Sequence, residues 1–358
     1  MKTEPAPSNR PSVYRLLPDE LRALCRETGA PAFRARQIWR WLYVRNAPDW
    51  SAMKNLPADF RAALAEQVRL DAERIEKQEG SAPGAVKLLV ALADGERIES
   101  VLIPAPKRLT LCVSSQVGCR YHCAFCASGQ AGFRRHLHAG EMVAQFLLAW
   151  RNAQRKPTHT VFMGIGEPLD NYDEVLKAIR ILNDPDGLRI AARRITVSTC
   201  GLVPGIERLA NESLQIELSV SLHAPDDALR SSLMPVNRLH PLPDLMRACR
   251  LYAEQTGRIV TFEYTLIRNV NDAPEQARAL ADLIAPLPCR VNLIPLSPVP
   301  EFDAVAAPDR AARLFIDTLR ASGINATLRA SRGTGVRAAC GQLRAKTLDN
   351  NGATLLAP

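Results

Sequence analysis

From Leu109 to Arg329 the chain keeps one rhythm: a short run of apolar and β-branched residues, a loop, then a stretch with helical spacing. Strands are expected over 109–113, 158–162, 194–198, 215–221, 259–266, 290–294 and 326–329. Helices fit between them, over 140–151, 172–182, 242–254, 273–284 and 310–322. Strands joined through helical crossovers run parallel, because only a crossover returns the chain to the same end of a sheet. The expected fold class is therefore α/β, a partial (β/α)-barrel core with a small N-terminal helical domain. In such a fold reactive groups collect beyond the carboxyl ends of the strands.

The N-terminal helical domain is read from Leu21, Leu24 and Cys25, then Ile38, Trp41 and Leu42, then Phe60, Leu64 and Val68, with Pro31, Pro48 and Pro57 between the stretches. A basic and aromatic run, Phe33-Arg34-Ala35-Arg36 through Trp39-Arg40-Trp41 to Arg45, gives this part a face that suits RNA, while Trp39, Trp41 and Trp50 read as core. Two alternating segments, 86–92 and 97–103, are joined by Ala93-Asp94-Gly95-Glu96 and read as a hairpin. The expected division is a disordered tail over 1–17, a helical accessory RNA-binding domain over 18–84, the barrel with its hairpin and a Cys340 loop over 85–345, and a tail over 346–358. A net charge of +9 favours a polyanionic partner. No apolar run is long enough for a membrane span and the first residues lack a signal-type segment, so nine cysteines point to a reducing, cytoplasmic setting in which thiols serve metals and catalysis.

Cys119-Arg120-Tyr121-His122-Cys123-Ala124-Phe125-Cys126 places three cysteines in eight residues. Three thiolates hold three irons of a [4Fe-4S] cluster and leave the fourth open to another ligand. S-adenosylmethionine fills that position in one large group of enzymes, where an electron cleaves it to a 5′-deoxyadenosyl radical. Zinc is the bland alternative, with His122, His136, His138 or Cys112 recruited as a fourth ligand. Glycines in Gly164-Ile165-Gly166-Glu167 follow a strand and permit close backbone approach to a ligand.

Further segments match a family in order. Leu111-Cys112-Val113-Ser114-Ser115-Gln116-Val117-Gly118-Cys119, Met163 to Pro168, Ser221-Leu222-His223-Ala224-Pro225, Val291 to Pro295 and Ala338 to Leu343 resemble the RlmN/Cfr family of radical-SAM RNA methyltransferases. The likeness runs from about residue 18 to 345, and Pro168 and the length of the N-terminal domain lean towards its RlmN side. It implies a radical-SAM core carrying a [4Fe-4S] cluster on Cys119, Cys123 and Cys126, and two molecules of S-adenosyl-L-methionine per turnover. The implied reaction is methylation of C2 of an adenosine in 23S rRNA at the peptidyl-transferase centre, and of the adenosine beside the anticodon in some tRNAs. Electron-poor C2 cannot displace a methyl group from a sulfonium, which is why a radical route is needed.

In that scheme Cys340 accepts a methyl group to become an S-methylcysteine intermediate, Glu99 is the proton acceptor, and Cys112 resolves the adduct through a transient disulfide with Cys340. Gly166, Glu167, Ser198, Ser221, Leu222, His223 and Ser297 fall at cofactor-contacting positions. Ser297 stands where RlmN proteins have asparagine; serine replaces one hydrogen bond of the amide but not its reach. A flavodoxin-type electron donor and a monomeric state are further expectations. Methylation at C8, or a non-catalytic Fe–S or zinc RNA-binding protein, are the alternatives; binding alone would need none of Cys112, Cys340 and Glu99. Taken without the family, Glu99 would be a solvated hairpin residue, Cys112 a buried strand residue, and Cys340, among Gly333, Gly335 and Gly341, part of a mobile loop. Cys25, Cys200, Cys249 and Cys289 match no motif position and read as packing residues.

Overall fold

The computed structural model describes residues 10–70, 73–329 and 339–343. The chain is ordered earlier than the expected tail over 1–17 allows. Ser12 caps a 3-10 turn (Val13–Arg15), with Val13 and Tyr14 buried. Residues 1–9 and the expected tail over 346–358 lie outside the described residues, as do Gly333 and Gly335. Three helices follow, α1 (Pro18–Glu27), α2 (Phe33–Tyr43) and α3 (Ala58–Gln67). Next comes an antiparallel meander of β1 (Arg74–Glu79), β2 (Val86–Ala91), β3 (Arg97–Ala105) and β4 (Arg108–Cys112). β1 lies inside the 18–84 division, past the helical pattern expected up to Val68. Its sequence Arg-Ile-Glu-Lys-Gln-Glu carries one apolar residue, too few to show a strand period on a solvated edge.

A two-stranded ribbon, β5 (Gln116–Gly118) with β6 (Phe133–His136), brackets the short α4 (Ala127–Gln130). The core then runs α5 (Ala139–Ala153), β7 (His159–Phe162), α6 (Tyr172–Asn183), β8 (Ile195–Thr199), α7 (Val203–Ala210), β9 (Glu217–Ser221), α8 (Asp227–Leu233) and α9 (Leu242–Thr256). It finishes with β10 (Val260–Leu266), α10 (Pro274–Ile284), β11 (Cys289–Pro295), α11 (Asp309–Ala321) and β12 (Ala326–Leu328). Every strand and helix expected between 109 and 329 forms, with ends displaced by at most two residues.

The sheet order is β1-β2-β3-β4-β7-β8-β9-β10-β11-β12, parallel from β4 onward. β1 pairs only with β2 and β12 only with β11 among the described residues, so the barrel is partial. Central strands are covered on both faces, which is why β10 is buried along its whole length. The hairpin is part of this sheet rather than an appendage, and that buries β2 and β3 on both faces where alternation had suggested one wet side.

The N-terminal helices share one contiguous apolar core with the barrel. Trp39 is buried and its Nε1 donates to Asp184 Oδ1 at 3.0 Å, and Arg151 Nη2 donates to Ala47 O at 3.1 Å. Trp41 and Trp50 are partly buried against that core, with Arg45 stacked 4.2 Å over Trp41. No helix among the described residues is long and apolar enough to cross a membrane.

Candidate active site

The cysteine trio sits in the loop between β5 and β6, and the loop's two ends are locked together. Gly118 has φ +76°, and a Cβ there would lie 1.7 Å from Gly132 O; the adjoining Cys119 N–H donates to that same oxygen at 3.0 Å. Asp170, following β7, holds the loop from outside. Its carboxylate accepts from Gln116 Nε2 at 2.7 Å and Tyr121 OH at 3.2 Å, and pairs with Arg120 Nε at 3.1 Å. Ala124 N–H donates to Leu233 O at 2.9 Å, tying the loop to the end of α8. Cys119, Cys123 and Cys126 thereby line one cavity of about 970 Å³, counted to its open mouth.

The donor set fits an iron–sulfur cluster. Burial, then the charges of Cys126 and Cys119, push the Cys123 thiol well above its ordinary value, and burial pushes Cys119 up to about 12. Three thiolates lining one cavity need a strongly positive group among them, which a cluster supplies with one iron per thiolate. Of the fourth ligands that zinc would recruit, His122, His136, His138 and Cys112, none lines this cavity with the trio. His136 instead bonds Gln116 Nε2 at 3.1 Å, and His138 lies at the start of α5 beside Glu174.

The carboxyl ends of the parallel strands form the facing wall. Gly166, Glu167, Ser198, Ser221, His223 and Ser297 all line the same cavity. Gly166 (φ +104°) is required by packing as much as by any ligand, since a Cβ would come within 2.5 Å of Gln116 Cβ. Buried Glu167 accepts from Cys200 N at 2.7 Å and Leu169 N at 3.0 Å; burial raises its pKa and these bonds oppose the rise. His223 Nδ1 accepts from Thr265 N at 2.9 Å. Burial, then the Arg230 charge, push its pKa down to about 3, so the ring is neutral with its proton on Nε2. Leu222 departs from the expected contact. Its side chain is fully buried in the core away from the cavity wall, and only its backbone takes part, donating to Glu263 O at 3.0 Å.

Cys340 lines this cavity, on a segment docked against the cysteine loop. Ala127 N donates to Gly341 O at 2.7 Å, Ser128 Oγ to Leu343 O at 2.7 Å, and Gln342 Nε2 to Pro298 O at 3.1 Å. The expectation of a mobile loop is therefore corrected for residues 339–343. Desolvation in the cavity raises the Cys340 pKa and Arg329 opposes it. Cys112, at the end of β4, lies outside the cavity lining in a small apolar cluster with Val101, Ile165 and Leu343. Burial, then the Cys340 charge, push its thiol up to about 12. Glu99 lies on β3, two residues from Val101, which stands opposite Cys112 in the register, so Glu99 and Cys112 share one face of the sheet. Glu99 is 4% exposed rather than solvated, because the hairpin is built into the sheet, and Lys87 Nζ lies 3.0 Å from its Oε1.

Four further residues at the site carry no motif signal. Cys200, read as packing, lines the cavity directly after β8. Glu263 and Arg329 line it as a pair 3.5 Å apart. Arg230 lies fully buried beneath the ends of β8 and β9. The one sequence clue to Cys200 and Glu263 is position at or near the carboxyl end of an expected strand.

The profile of the Radical SAM superfamily matches residues 113–281, and that of the Ribosomal RNA large subunit methyltransferase N-terminal domain matches residues 14–70. The chain is 46% identical to a probable dual-specificity RNA methyltransferase RlmN of Geobacillus kaustophilus, over 94% of this chain and 93% of that one. It is 48% identical to a protein of the same description from Moorella thermoacetica, over 94% and 98%. The fold superposes on the crystal structure of a radical SAM methyltransferase from Sphaerobacter thermophilus with a TM-score of 0.92 and 47% identity, covering 94% of this chain and all of that one.

Proposed function

Because the chain belongs to the RlmN family of radical-SAM RNA methyltransferases, we propose that it methylates C2 of an adenosine in 23S rRNA, and the matching adenosine beside the anticodon in tRNA. When bound, the [4Fe-4S] cluster and S-adenosylmethionine supply a 5′-deoxyadenosyl radical. The observation that carries the reading is the docking of the Cys340 segment on the cysteine loop, with Cys112 near enough to feel the charge of Cys340.

Cys340 acts first as a thiolate that displaces a methyl group from the sulfonium. Methylation makes its sulfur neutral, which removes the repulsion that Cys340 exerts on Cys112. The two thiols thus ionise in turn, Cys340 before transfer and Cys112 after it. Once the methyl carbon is joined to the adenine ring, the adduct loses its unpaired electron, which the cluster would take back, and Glu99 accepts the ring proton. Cys112 then attacks Cys340 sulfur: the S–S bond forms, the S–C bond breaks, and its electron pair stays on carbon, which takes up a proton. The disulfide must be reduced before the next cycle, with electrons for the cluster coming from a flavodoxin-type donor.

Glu167, accepting two backbone N–H bonds at the cavity wall, suits the amino group of S-adenosylmethionine, while Ser198, Ser221 and neutral His223 offer uncharged contacts. Ser297 is buried at the wall and holds the asparagine position with a shorter reach. The test is anaerobic: cluster-loaded protein, S-adenosylmethionine and an unmodified 23S rRNA fragment, with nucleosides identified by mass spectrometry. 2-Methyladenosine is expected, and none from C340A. 8-Methyladenosine, or methylation by C340A at the parental rate, overturns the assignment.

A further inference from the structure

Glu99 and its surroundings form a line of alternating charge that crosses the antiparallel part of the sheet. Lys87 on β2 lies diagonally across from Glu99 on β3, because the register sets Lys87 opposite Val101 and Leu89 opposite Glu99. Lys87 Nζ is 3.0 Å from Glu99 Oε1 and 3.1 Å from Glu79 Oε2 on β1, and Lys77 Nζ is 2.9 Å from Glu79 Oε1. Side-chain exposure climbs along the line, from 6% at Glu99 and 11% at Lys87 to 36% at Glu79 and 55% at Lys77. Glu79 thus holds Lys87 from the solvent side, and Lys87 meets Glu99 inside.

Such an arrangement does more than stabilise a strand pair. A carboxylate left alone at that depth would take up a proton and lose its capacity as a base. A lysine buried among apolar strand neighbours would likewise be displaced by an apolar residue of equal volume if packing were its only task. The neighbours of Lys87 on the same face of these two strands, Leu89 and Val101, are apolar. We propose that Lys87 is the positioning residue of the methyl-transfer site, fixing the Glu99 carboxylate on the sheet face it shares with Cys112 so that it can receive the ring proton. The inference rests on the role assigned to Glu99 above, and adds the residue through which that role is maintained.

Lys87 touches neither thiol in this scheme, so its effect is confined to one stage. Methylation of Cys340 and formation of the covalent Cys340–RNA adduct precede proton removal; release of methylated RNA follows it. K87M keeps the length of the side chain and removes the charge, and K87R keeps the charge. Cluster-loaded K87M, K87R and E99Q are compared with the parent for iron content, Cys340 methylation by intact-mass spectrometry, RNA adduct on denaturing gels, and RNA release. K87M is expected to methylate Cys340 at the parental rate, accumulate adduct, and release RNA roughly 10- to 100-fold more slowly, a partial loss of the roughly 10²–10⁴-fold that a positioned general base contributes. K87R is expected to restore most of the release rate.

K87M releasing RNA as fast as the parent overturns the inference, and so does K87R stalling as fully as K87M. Should K87M fail to retain its cluster, K87R decides alone by the same criterion. E99Q separates the two levels of the argument. If E99Q stalls with adduct while K87M does not, only the role of Lys87 fails; if E99Q releases RNA at the parental rate, the assignment of Glu99 fails and Lys87 with it.

Discussion

Replacing Arg230 with methionine measures how the cofactor end of the sheet is held together. Its guanidinium is fully buried and donates to the carbonyls of Leu222 at 3.2 Å, Cys200 at 2.7 Å and Ser221 at 3.1 Å, and to Asn237 Oδ1 at 2.8 Å. Three of these acceptors are backbone oxygens just past or at the ends of β8 and β9, next to Ser198, Ser221 and His223. R230M leaves all four without this donor, at about 1–3 kcal/mol for each buried acceptor that finds no other. Part of that is recovered, because burying the Arg230 charge is itself unfavourable. A net loss of about 3 kcal/mol is expected. Unfolding entropy of about 2.1 cal/mol/K per residue gives roughly 0.75 kcal/mol/K for a chain of 358 residues, so Tm should fall by about 4 °C. Circular-dichroism melts at one scan rate measure this, with R230K expected near the midpoint because ammonium serves fewer acceptors than the fork. Isothermal titration of the cluster-loaded protein should show weaker S-adenosylmethionine binding in R230M. A melting point within about 1 °C of the parent would refute the claim that these four bonds brace the site.

Two other changes follow from single positions. G166A should lower stability by about 3 kcal/mol or more, since the methyl would meet Gln116 Cβ at 2.5 Å in a backbone with φ +104°; an unchanged urea midpoint would contradict the packing described. Glu174 ties α6 to Arg15 at 2.5 Å and to the Ala139 N–H at 2.7 Å. Burial raises its pKa, but His138, 3.8 Å away, and hydrogen bonds from the Ala139 N–H and Arg15 outweigh that and hold it at about 2. A depressed carboxylate contributes stability that is complete above the unfolded value near 4.5 and fades as pH falls towards 2. After allowance for its partial exposure the contribution is about 2 kcal/mol, so E174Q should be less stable at pH 6 and show a flatter acid limb in urea titrations at pH 6, 4 and 3. Equal acid dependence of E174Q and parent would remove Glu174 from the account.

The parallel half of the fold was legible because its strands are covered on both faces and read as apolar runs with helical stretches between them. The cysteine trio was legible because its spacing is local: the ligands of a cluster on one short loop are neighbours in sequence as well as in space. Glu167 directly follows an expected strand, where reactive groups of such a fold collect, whereas Ser198 was singled out by the resemblance alone. β1 was not legible, because an edge strand with one apolar residue has no period to detect. Nor was the order of residues 10–17, whose two anchors, Val13 and Tyr14, are too few to stand out from a polar tail.

Side-chain chemistry and local spacing by themselves determined that this chain sets three thiols on one short loop, in the spacing a cluster takes, beside a parallel α/β core. Tertiary structure alone decided what surrounds those groups. Whether Glu99 is wet or buried depends on whether the hairpin stands apart or joins the sheet, and that is a pairing between β3 and β4 rather than a property of either. Its contact with Lys87, the seating of Cys340 on the cysteine loop, and the meeting of Arg230 with two strand ends are all contacts between segments distant in sequence or set by register. Composition and periodicity report on neighbours along the chain, and the electrostatics of a site are set by neighbours across it.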